Sequence, residues 1–440
     1  MMPKKLLLLA SIPAFLTVAR GENWPQWRGP AFNGSSSEPN LPVEFSKTSN
    51  VKWTVSLPGT SAATPVIWNN HVFVSSTDEQ TKTLHALAID RQTGKIIWDH
   101  EVAVGFGRDD KSNFASPSPV TDGKIVVFLY GNGEVAAFDF SGKKLWGRSL
   151  EKDYGPFAYQ WTYGASPTLY DGKLILQVLQ RDEPVHGRGR TGGTIDSYLL
   201  AVVPETGSNL WKYARPSEAR MESHESYSTP IPFEHEGRKE LLVTGGDCIT
   251  GHSLKDGSEY WRWGTWNPTR ITHWRLVPSA VVGSTTILIC APKNSPVYAC
   301  KAGAKGVQDD SVLAWKSSER EVTSDVATPL FYKGRFYVLK GEPRPALSRI
   351  DPATGKVDWT GELDSRVKIE SSPTGADGKI YFQNFRGEVF VVAAADQFKL
   401  LNTIPMGDEG DDQLRSSIAV SQGCLFIRTG HKLYSVGGSK

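Results

Sequence analysis

A unit of about 51 residues recurs along this chain, and the repeat limits the possible folds more than any other feature. Each unit opens with a small residue, a Ser or Thr and usually a Pro, and short apolar runs follow. The runs are rich in β-branched and aromatic residues, as Ile125 to Tyr130 is, which predicts strands. Four strands per unit at this period are typical of β-propeller blades. The openings are Ala63-Thr64-Pro65, Ala115-Ser116-Pro117, Ala165-Ser166-Pro167, Ser228-Thr229-Pro230, Val277-Pro278, Ala327-Thr328-Pro329, Ser371-Ser372-Pro373 and a degenerate copy at Ser417-Ile418-Ala419.

Two kinds of tight turn lie inside the units. Asp122-Gly123-Lys124 and Asp377-Gly378-Lys379 separate the first two runs, and Asp-Gly readily adopts the positive φ of a two-residue hairpin. The turn between the third and fourth runs reads Asp90 to Lys95 in the first unit. Both kinds lie at the same end of a propeller. We therefore predict a tight-turn end and an opposite long-loop end, and long loops are where binding residues concentrate.

The final unit lacks one strand. After Ser417, only Cys424 to Arg428 and Lys432 to Val436 follow as further strands, whereas Val51 to Leu57 precedes the first opening without a unit of its own. We predict that this early strand completes the last blade, because closure removes an open sheet edge. The predicted fold is all-β: an eight-bladed β-propeller of four-stranded antiparallel blades. An open solenoid or separate sandwiches are the alternatives.

The N-terminal segment resembles an export signal. Lys4 and Lys5 precede the apolar run Leu6 to Val18, and Ala19-Arg20-Gly21 fits a cleavage site. We predict a signal peptide at 1–21, an extended lead-in at 22–50, a propeller domain at 51–440, and a periplasmic or extracellular location. The apolar run is short for a membrane span. An uncleaved anchor is the alternative, and no membrane span is expected after signal removal.

Charge and cysteine content give few functional indications. Lys and Arg number 49 against 47 Asp and Glu, and the net charge of +2 does not favour nucleic-acid binding. Cys290 and Cys300 flank a predicted hairpin, so a disulfide between them is one alternative and two buried thiols the other. The chain has no Cys-x-x-Cys spacing, so neither a zinc nor a thiol-redox site is indicated.

The fourth strand of most units carries a Trp. Ala88 to Trp98 reads Ala-Ile-Asp-Arg-Gln-Thr-Gly-Lys-Ile-Ile-Trp, and Asp351 to Trp359 repeats the pattern from the Asp onward. These copies resemble the tryptophan-docking motif of pyrroloquinoline quinone (PQQ)-like repeat β-propellers, and the resemblance covers Val51 to the C-terminus. It implies that each Trp packs between neighbouring blades and that each Gly permits a turn. The structural residues assigned in this way are Trp98, Trp146, Trp211, Trp261, Trp315, Trp359, Gly94 and Gly355.

The resemblance also bears on catalysis. Quinoprotein alcohol dehydrogenases carry adjacent cysteines, Glu and Asn ligands for Ca²⁺ and an Asp base, and no segment of this sequence matches these features. We therefore predict no catalytic residue, no metal site and no cofactor. The chain is more similar to the non-catalytic exported bacterial branch, which includes the propeller lipoprotein of the outer-membrane β-barrel assembly machinery. It departs from that lipoprotein because it has no lipobox Cys.

Three functions are compatible with these features. The leading hypothesis is a monomeric binding or scaffold module in the cell envelope that takes an envelope protein or a small polar ligand. The first alternative is a divergent quinone- or metal-dependent oxidoreductase, namely a PQQ-type dehydrogenase using PQQ with calcium. The second alternative is a glycan-binding propeller with aromatic loops.

Candidate ligand-binding residues lie in three long loops and just before the first strands of the units. The loops are residues 153–163, 181–193 and 263–275, which combine aromatic residues with arginines, as binding hot spots do. The positions before the first strands are expected to surround the central channel, where mixed charge suits a small polar ligand. The residues predicted are Tyr163, Arg188, Glu225, Trp266, Arg270, Trp274, Arg275, Asp325, Glu370 and Arg415.

Overall fold

Eight sheets of four antiparallel strands surround a central channel in the computed structural model, which describes residues 21–293 and 295–437. This is the predicted eight-bladed β-propeller. The signal-peptide prediction falls on residues 1–20, which lie outside the described residues. In the described ranges, helix is confined to α1 (Leu150–Tyr154) and two 3-10 turns, Met221–His224 and Asp310–Val312. No helix there is long and apolar enough to cross a membrane.

The strand β1 (Val51–Ser56) precedes the first blade, and blades 1 to 4 follow in chain order. Blade 1 comprises β2 (Val66–Trp68), β3 (His71–Asp78), β4 (Thr83–Asp90) and β5 (Ile96–Val104). Blade 2 comprises β6 (Val120–Thr121), β7 (Ile125–Leu129), β8 (Glu134–Asp139) and β9 (Lys144–Ser149). Blade 3 comprises β10 (Thr168–Tyr170), β11 (Lys173–Val178), β12 (Tyr198–Val202) and β13 (Asn209–Ala214). Blade 4 comprises β14 (Ile231–His235), β15 (Arg238–Gly245), β16 (Cys248–Ser253) and β17 (Glu259–Trp263).

Blades 5 to 8 contain the remaining strands. Blade 5 comprises β18 (Val281–Gly283), β19 (Thr286–Cys290), β20 (Val297–Lys301) and β22 (Leu313–Lys316), while β21 (Gly306–Val307) pairs in parallel with β17 on the edge of blade 4. Blade 6 comprises β23 (Leu330–Tyr332), β24 (Arg335–Lys340), β25 (Ala346–Ile350) and β26 (Val357–Glu362). Blade 7 comprises β27 (Thr374–Ala376), β28 (Lys379–Gln383), β29 (Glu388–Ala393) and β30 (Leu400–Pro405). Blade 8 comprises β31 (Ala419–Ser421), β32 (Cys424–Arg428), β33 (Lys432–Gly437) and β1.

The ring closes as the sequence predicts. β1 pairs antiparallel with β33, with Val55 opposite Leu433 and Thr54 opposite Tyr434. Arg428, which is fully buried, joins blade 8 to blade 1 by donating from Nη1 to the Ser75 carbonyl at 2.6 Å and from Nη2 to the Gly59 carbonyl at 3.1 Å. Closure therefore combines a strand pair at the rim with a buried arginine nearer the channel.

A ring of hydroxyl groups explains the Ser or Thr at each opening. The backbone N–H of one such residue donates to the hydroxyl of the next, over seven links of 2.8–3.1 Å. The Thr64 hydroxyl, where an eighth link would end, is buried without a hydrogen-bond partner. In order, the residues are Thr64, Ser118, Ser166, Thr229, Ser279, Thr328, Ser372 and Ser417.

Two of the predicted openings are wrong by two residues. In blade 2 the sequence offers Ser116-Pro117 and Ser118-Pro119, and Ser118 takes the place in the ring. In blade 5 the hydroxyl belongs to Ser279, after Pro278. The hydroxyl must face the neighbouring blade, and the Ser-Pro pattern alone does not fix that register.

Six tryptophans contact the following blade in one way. Their Nε1 atoms donate to backbone carbonyls of that blade at 2.7–3.2 Å, and the donors are Trp53, Trp98, Trp146, Trp211, Trp315 and Trp359. Gly94 and Gly355 lie under the rings of Trp53 and Trp315, with φ of 73° and 72°. A Cβ at Gly94 would lie 2.8 Å from the Trp53 ring, so both the close approach and the backbone require glycine there.

Trp261 differs from the other tryptophans assigned a structural role. Its Nε1 donates at 2.9 Å to Glu240 Oε2 of the same blade, and burial raises the pKa of that carboxyl. Blade 5 carries Lys301 to Asp310 where other blades have an Asp-x-x-Thr-Gly-Lys turn, and this segment supplies β21 instead. The carbonyl acceptor of the following blade is therefore replaced by a buried carboxylate.

All four cysteines are free thiols. Cys290 lies opposite Val297, and Cys300 lies opposite Ile287, so the two do not face each other across the hairpin. They also point to opposite faces of the blade, where Cys290 packs toward blade 6 and Cys300 toward blade 4. The alternative of a Cys290–Cys300 disulfide is therefore wrong.

The lead-in crosses the tight-turn end of the ring. Trp24 exchanges backbone hydrogen bonds with Ile67 of blade 1, and the Pro25 carbonyl accepts from Thr121 of blade 2. Farther along, Gly34 and Ser36 pair with Gly375 of blade 7. These contacts all reach the ends of first strands, so the segment covers the channel at that end.

Candidate functional site

A blind pit occupies the centre of the ring and opens at the long-loop end. All eight blades and the links between them line the pit, and Trp27 of the lead-in closes it toward the tight-turn end. Its unfilled space is about 910 Å³ with the open mouth included.

Nine serine and threonine side chains line the pit. Each hydroxyl can donate one hydrogen bond and accept others, so the wall suits a ligand with many polar atoms. Three cations, Lys111, Arg275 and Arg415, line the pit together with one carboxylate, Glu370. The hydroxyl residues are Ser112, Ser116, Ser118, Thr162, Ser166, Thr229, Thr328, Ser372 and Ser417.

Arg275 is a buried charged residue of the pit with an unsatisfied hydrogen-bond donor. Its side chain is 9% exposed, and its Nη1 has no hydrogen-bond partner among the described residues. Glu222 Oε1 and Asp325 Oδ2 each lie 3.6 Å from a guanidinium nitrogen, beyond hydrogen-bond length. A buried donor without an acceptor is costly, so a ligand oxygen in the pit would stabilise it.

Glu370 and Arg415 form a close, largely buried ion pair at the pit. Arg415 Nε donates to Glu370 Oε2 at 2.6 Å, and Lys368 Nζ lies 2.8 Å from Oε1. Burial alone would raise the pKa of Glu370, but Arg415 and Lys368 outweigh burial and lower it. Arg415 also lies over the Phe385 ring, 4.5 Å from its centroid. This carboxylate is therefore ionised and neutralised within the protein.

An aromatic wall faces these cations. Trp161 and Tyr227 line the pit, and the Tyr227 hydroxyl accepts from the Trp161 backbone N–H at 3.2 Å. The Tyr227 hydroxyl donates to Glu225 Oε2 at 2.6 Å, and Trp161 Nε1 donates to Glu222 Oε1 at 3.0 Å. Lys111 Nζ lies over the Trp161 ring at 5.3 Å. Two carboxylates thus hold the aromatic wall in position from behind.

Glu225 is fully buried and organises the loop before blade 3. It accepts from Arg181 Nε at 2.5 Å and from the Gln160 backbone N–H at 3.0 Å, besides Tyr227. Burial raises the pKa of Glu225 to about 7, although the bonds from Tyr227 and Arg181 oppose the rise. Glu225 therefore positions the aromatic wall without reaching the pit.

The structure brings together only part of the predicted ligand-binding set. Arg275, Glu370 and Arg415 line the pit, and Asp325 lies behind Arg275. Tyr163 is buried in the core of blades 2 and 3, where its hydroxyl donates to the Gln177 carbonyl at 2.6 Å.

Four other predicted residues lie away from the pit. Trp266 is buried against Trp263 with ring centroids 5.3 Å apart, and Trp274 packs on the same core at the interface of blades 4 and 5. Arg270 forms an ion pair with Glu218 outside the pit. Arg188 is exposed and lines a separate pocket near Phe157. These four therefore belong to packing or to the outer surface of the long-loop end.

Besides the hydroxyl residues, sequence reasoning missed four aromatic or cationic residues that line the pit: Trp27, Lys111, Trp161 and Tyr227. Trp161 belongs to an aromatic loop already singled out, and its position before the third opening was the available signal. Lys111 precedes the second opening by several residues. Trp27 reaches the channel from the lead-in, and nothing in the repeat indicates that path.

No metal centre is evident in the part of the chain that the structure describes. No three His, Cys, Asp or Glu side chains converge there to hold an ion. The cysteines are buried within blades and do not line the pit.

Comparisons with known proteins agree with this architecture. The family described as "Outer membrane protein assembly factor BamB" matches residues 40–161 and 308–403. A polyvinylalcohol dehydrogenase from Sphingopyxis sp. (strain 113P3) is 24% identical over 407 residues, covering 84% of this chain and 56% of the dehydrogenase. The chain thus spans little more than half the length of that relative.

Solved structures with the same fold include enzymes and an assembly factor. A europium-containing methanol dehydrogenase has a TM-score of 0.65 at 12% identity, covering 93% of this chain and 90% of that one. A quinohemoprotein alcohol dehydrogenase from Comamonas testosteroni has a TM-score of 0.66 at 14% identity, with coverages of 95% and 81%. BamB from Moraxella catarrhalis has a TM-score of 0.58 at 13% identity, with coverages of 88% and 99%. Together with the repeat and its tryptophans, these matches show that the chain belongs to the PQQ-like repeat β-propeller family.

Proposed function

We propose that this protein is a binding module of the cell envelope whose central pit takes a small, polar, anionic ligand. The observation that carries the proposal is Arg275, a buried guanidinium that lines the pit with Nη1 unpartnered. Guanidinium groups match the two oxygens of a carboxylate, and such charge-assisted bonds are stronger than neutral ones. The three lining cations against one lining carboxylate favour the same ligand charge.

Titration with acetate, succinate and citrate tests this proposal. Arg275→Gln is expected to weaken binding at least tenfold, because it removes the buried charge that faces the ligand. Arg270→Gln is the matched control, since Arg270 lies at the same end of the ring but outside the pit. The affinity of Arg270→Gln for each carboxylate should stay within about twofold of the affinity of the unsubstituted protein. Equal affinities for parent and Arg275→Gln would contradict the proposal.

A periplasmic or extracellular location and a monomeric state form part of the same proposal. The signal-like start supports export, and the matched family carries the name of an outer-membrane assembly factor. Sequencing the mature N-terminus from fractionated cells tests export, and a start at or near Gly21 is expected. An intact Met1 in the cytoplasmic fraction would contradict it.

A quinone-dependent oxidoreductase is the second candidate, favoured by the similarity to a polyvinylalcohol dehydrogenase over most of this chain. Arg275, Arg415 and the Trp161 ring suit an anionic, planar quinone such as PQQ. The fit is incomplete, since no described trio of acids converges to hold the accompanying metal. We therefore derive no step through this group.

Adding PQQ and Ca²⁺ to the purified protein separates the two candidates. The binding proposal predicts no dye reduction with ethanol or polyvinyl alcohol. Dye reduction that requires both additions would instead establish the oxidoreductase. Arg275→Gln should weaken PQQ binding in either case, because the guanidinium faces the pit.

A further inference from the structure

A second cavity opens beside the pit, between blades 8, 1 and 2. It shares Ala62, Lys111, Ser112 and Arg415 with the pit, so the two spaces are continuous at the long-loop end. Its unfilled space is about 900 Å³ with the open side included, similar to that of the pit. We call this cavity the acidic lobe, because five carboxylates line it: Glu79, Asp109, Glu409, Asp411 and Asp412.

The acidic lobe has the opposite charge from the pit. Besides the shared Lys111 and Arg415, only Arg108 adds a permanent cation to its lining, and His431 is the one titratable base. Within the described residues, none of the five carboxylates forms an ion pair. Neighbouring Asp408, by contrast, pairs with Lys432 at 3.0 Å and with Lys47 at 3.5 Å. The lining of the lobe therefore carries an excess of negative charge.

Hydrogen bonds from the surrounding loops fix the positions of two of the five carboxylates. Asp109 accepts from the Thr162 hydroxyl at 2.7 Å, and Glu79 accepts from the Thr60 hydroxyl at 3.0 Å. Burial raises the pKa of Asp411, although backbone bonds from Asp408 and Gly430 oppose the rise. Glu409 and Asp412 are exposed at the rim and are free to meet a ligand.

A pocket on the other side of the pit has balanced charge. It shares Glu370 and Val326 with the pit and carries Lys293, Lys340 and Lys368 against Asp325, Glu342 and Glu370. Three cations and three carboxylates give no preference for a charged ligand. The acidic lobe is thus the adjoining space with a charge opposite to that of the pit.

From this juxtaposition we infer that the ligand is dipolar, with a carboxylate bound at Arg275 in the pit and an ammonium group in the acidic lobe. Arg275 lines the pit and has a buried, unpartnered Nη1, which indicates a ligand there, and the opposite charges of the pit and the acidic lobe indicate the two ends of that ligand. An ammonium near several unpaired carboxylates gains Coulomb energy, whereas a second carboxylate there is repelled. The inference rests on the proposed function and deepens it.

Three molecules of one chain length test the inference by calorimetric titration of the full protein at low salt. Hexanoate carries one carboxylate, 6-aminohexanoate adds an ammonium, and adipate adds a second carboxylate. We expect 6-aminohexanoate to bind about fivefold tighter than hexanoate, and adipate to bind more weakly than either. The eight- and eleven-carbon series cover larger separations between the two cavities.

The variant Glu409→Gln/Asp412→Asn should remove most of the affinity advantage of 6-aminohexanoate over hexanoate, because it removes two of the carboxylates that attract the ammonium group. Glu362→Gln/Asp364→Asn is the matched control, since it removes two exposed carboxylates outside both cavities. In this control variant, 6-aminohexanoate should still bind about fivefold tighter than hexanoate.

The failure of this inference and that of the proposed function give different results. Suppose that no amino acid of the series binds tighter than the fatty acid of the same length, while Arg275→Gln still weakens hexanoate binding. The ligand is then a simple anion, so this inference is overturned and the proposed function stands. If Arg275→Gln changes no affinity, or none of these carboxylates binds, the proposed function is overturned with it.

Discussion

Two buried arginines, one near each end of the channel, have opposite surroundings. Arg28, 1% exposed at the tight-turn end, donates from Nη1 to Pro373 at 3.0 Å and from Nη2 to Pro329 at 2.8 Å. Burial lowers the pKa of Arg28 to about 9. Arg275, 8% exposed in the pit, makes no such bonds from Nη1. Each arginine has one buried nitrogen without a partner, Nε of Arg28 and Nη1 of Arg275. Both Nη atoms of Arg28 nevertheless bind carbonyls and stabilise the lead-in against two blades, whereas Arg275 makes no such bond.

The difference extends to the tryptophans at the two ends. Trp98 is 7% exposed, and its Nε1 donates to the Phe140 carbonyl at 3.1 Å. Trp274 at the long-loop end is only partly buried. Trp98 therefore stabilises an interface between two blades, whereas Trp274 remains partly accessible to solvent at the long-loop end.

The largest expected effect is on Trp98. Trp98→Ala should lower the free energy of unfolding by about 3–5 kcal/mol, because it empties a packed interface between blades. Trp274→Ala should cost less than about 2 kcal/mol, since the side chain is only partly buried. Urea denaturation of both variants measures the difference. Equal losses would contradict the assignment of the two ends.

Arg28→Met should destabilise the protein by about 2–4 kcal/mol, because it leaves buried carbonyls without donors. Arg275→Gln should alter stability by less than about 1 kcal/mol, because Nη1 has no partner to lose. Thermal unfolding followed by circular dichroism compares the two. A larger loss for Arg275→Gln than for Arg28→Met would reverse the comparison.

Glu225 makes the long-loop end sensitive to pH. Its pKa is raised from 4.5 to about 7 in the folded protein, so the folded state holds the proton that the unfolded chain releases. Stability should therefore fall as pH rises from about 5 to 7.5, by about 1–2 kcal/mol relative to Glu225→Gln. Urea unfolding of both proteins across this range gives the difference in slope. If the free energies of unfolding of the two proteins vary with pH in parallel, Glu225 is already ionised at pH 5.

The smallest effect concerns the hydroxyl ring between the ends. Ser279→Ala should cost about 1 kcal/mol, because the Thr229 N–H loses its acceptor at 2.8 Å. Thr64→Val should cost less than about 0.5 kcal/mol, since the Thr64 hydroxyl has no partner to lose. Similar losses for the two would indicate that the ring hydrogen bonds do not stabilise the blades.

The repeat determines most of the fold, because each blade meets its neighbours through the same few positions. The closing strand and the number of blades could be predicted, because the sequence itself shows one strand without a unit and one unit that lacks a strand. The register at Ser118 and the hydrogen-bond acceptor of Trp261 could not be predicted, because each depends on which polar groups of the next blade lie within reach.

The candidate site was only partly predictable for a related reason. Positions before the first strands lie near the channel, so Arg275, Glu370 and Arg415 could be found from the repeat. The same rule also selected Tyr163 and Glu225, which are buried and do not line the pit. Trp27 arrives from the lead-in, whose path across the ring depends on tertiary contacts alone.

The most direct test is a crystal structure of the protein soaked with 4-iodobenzoate, with the iodine located by its anomalous signal. The account predicts an iodine peak in the pit and a carboxylate within about 3 Å of the Arg275 guanidinium. A carboxylate bound elsewhere on the ring, with Arg275 still unpartnered, would contradict it.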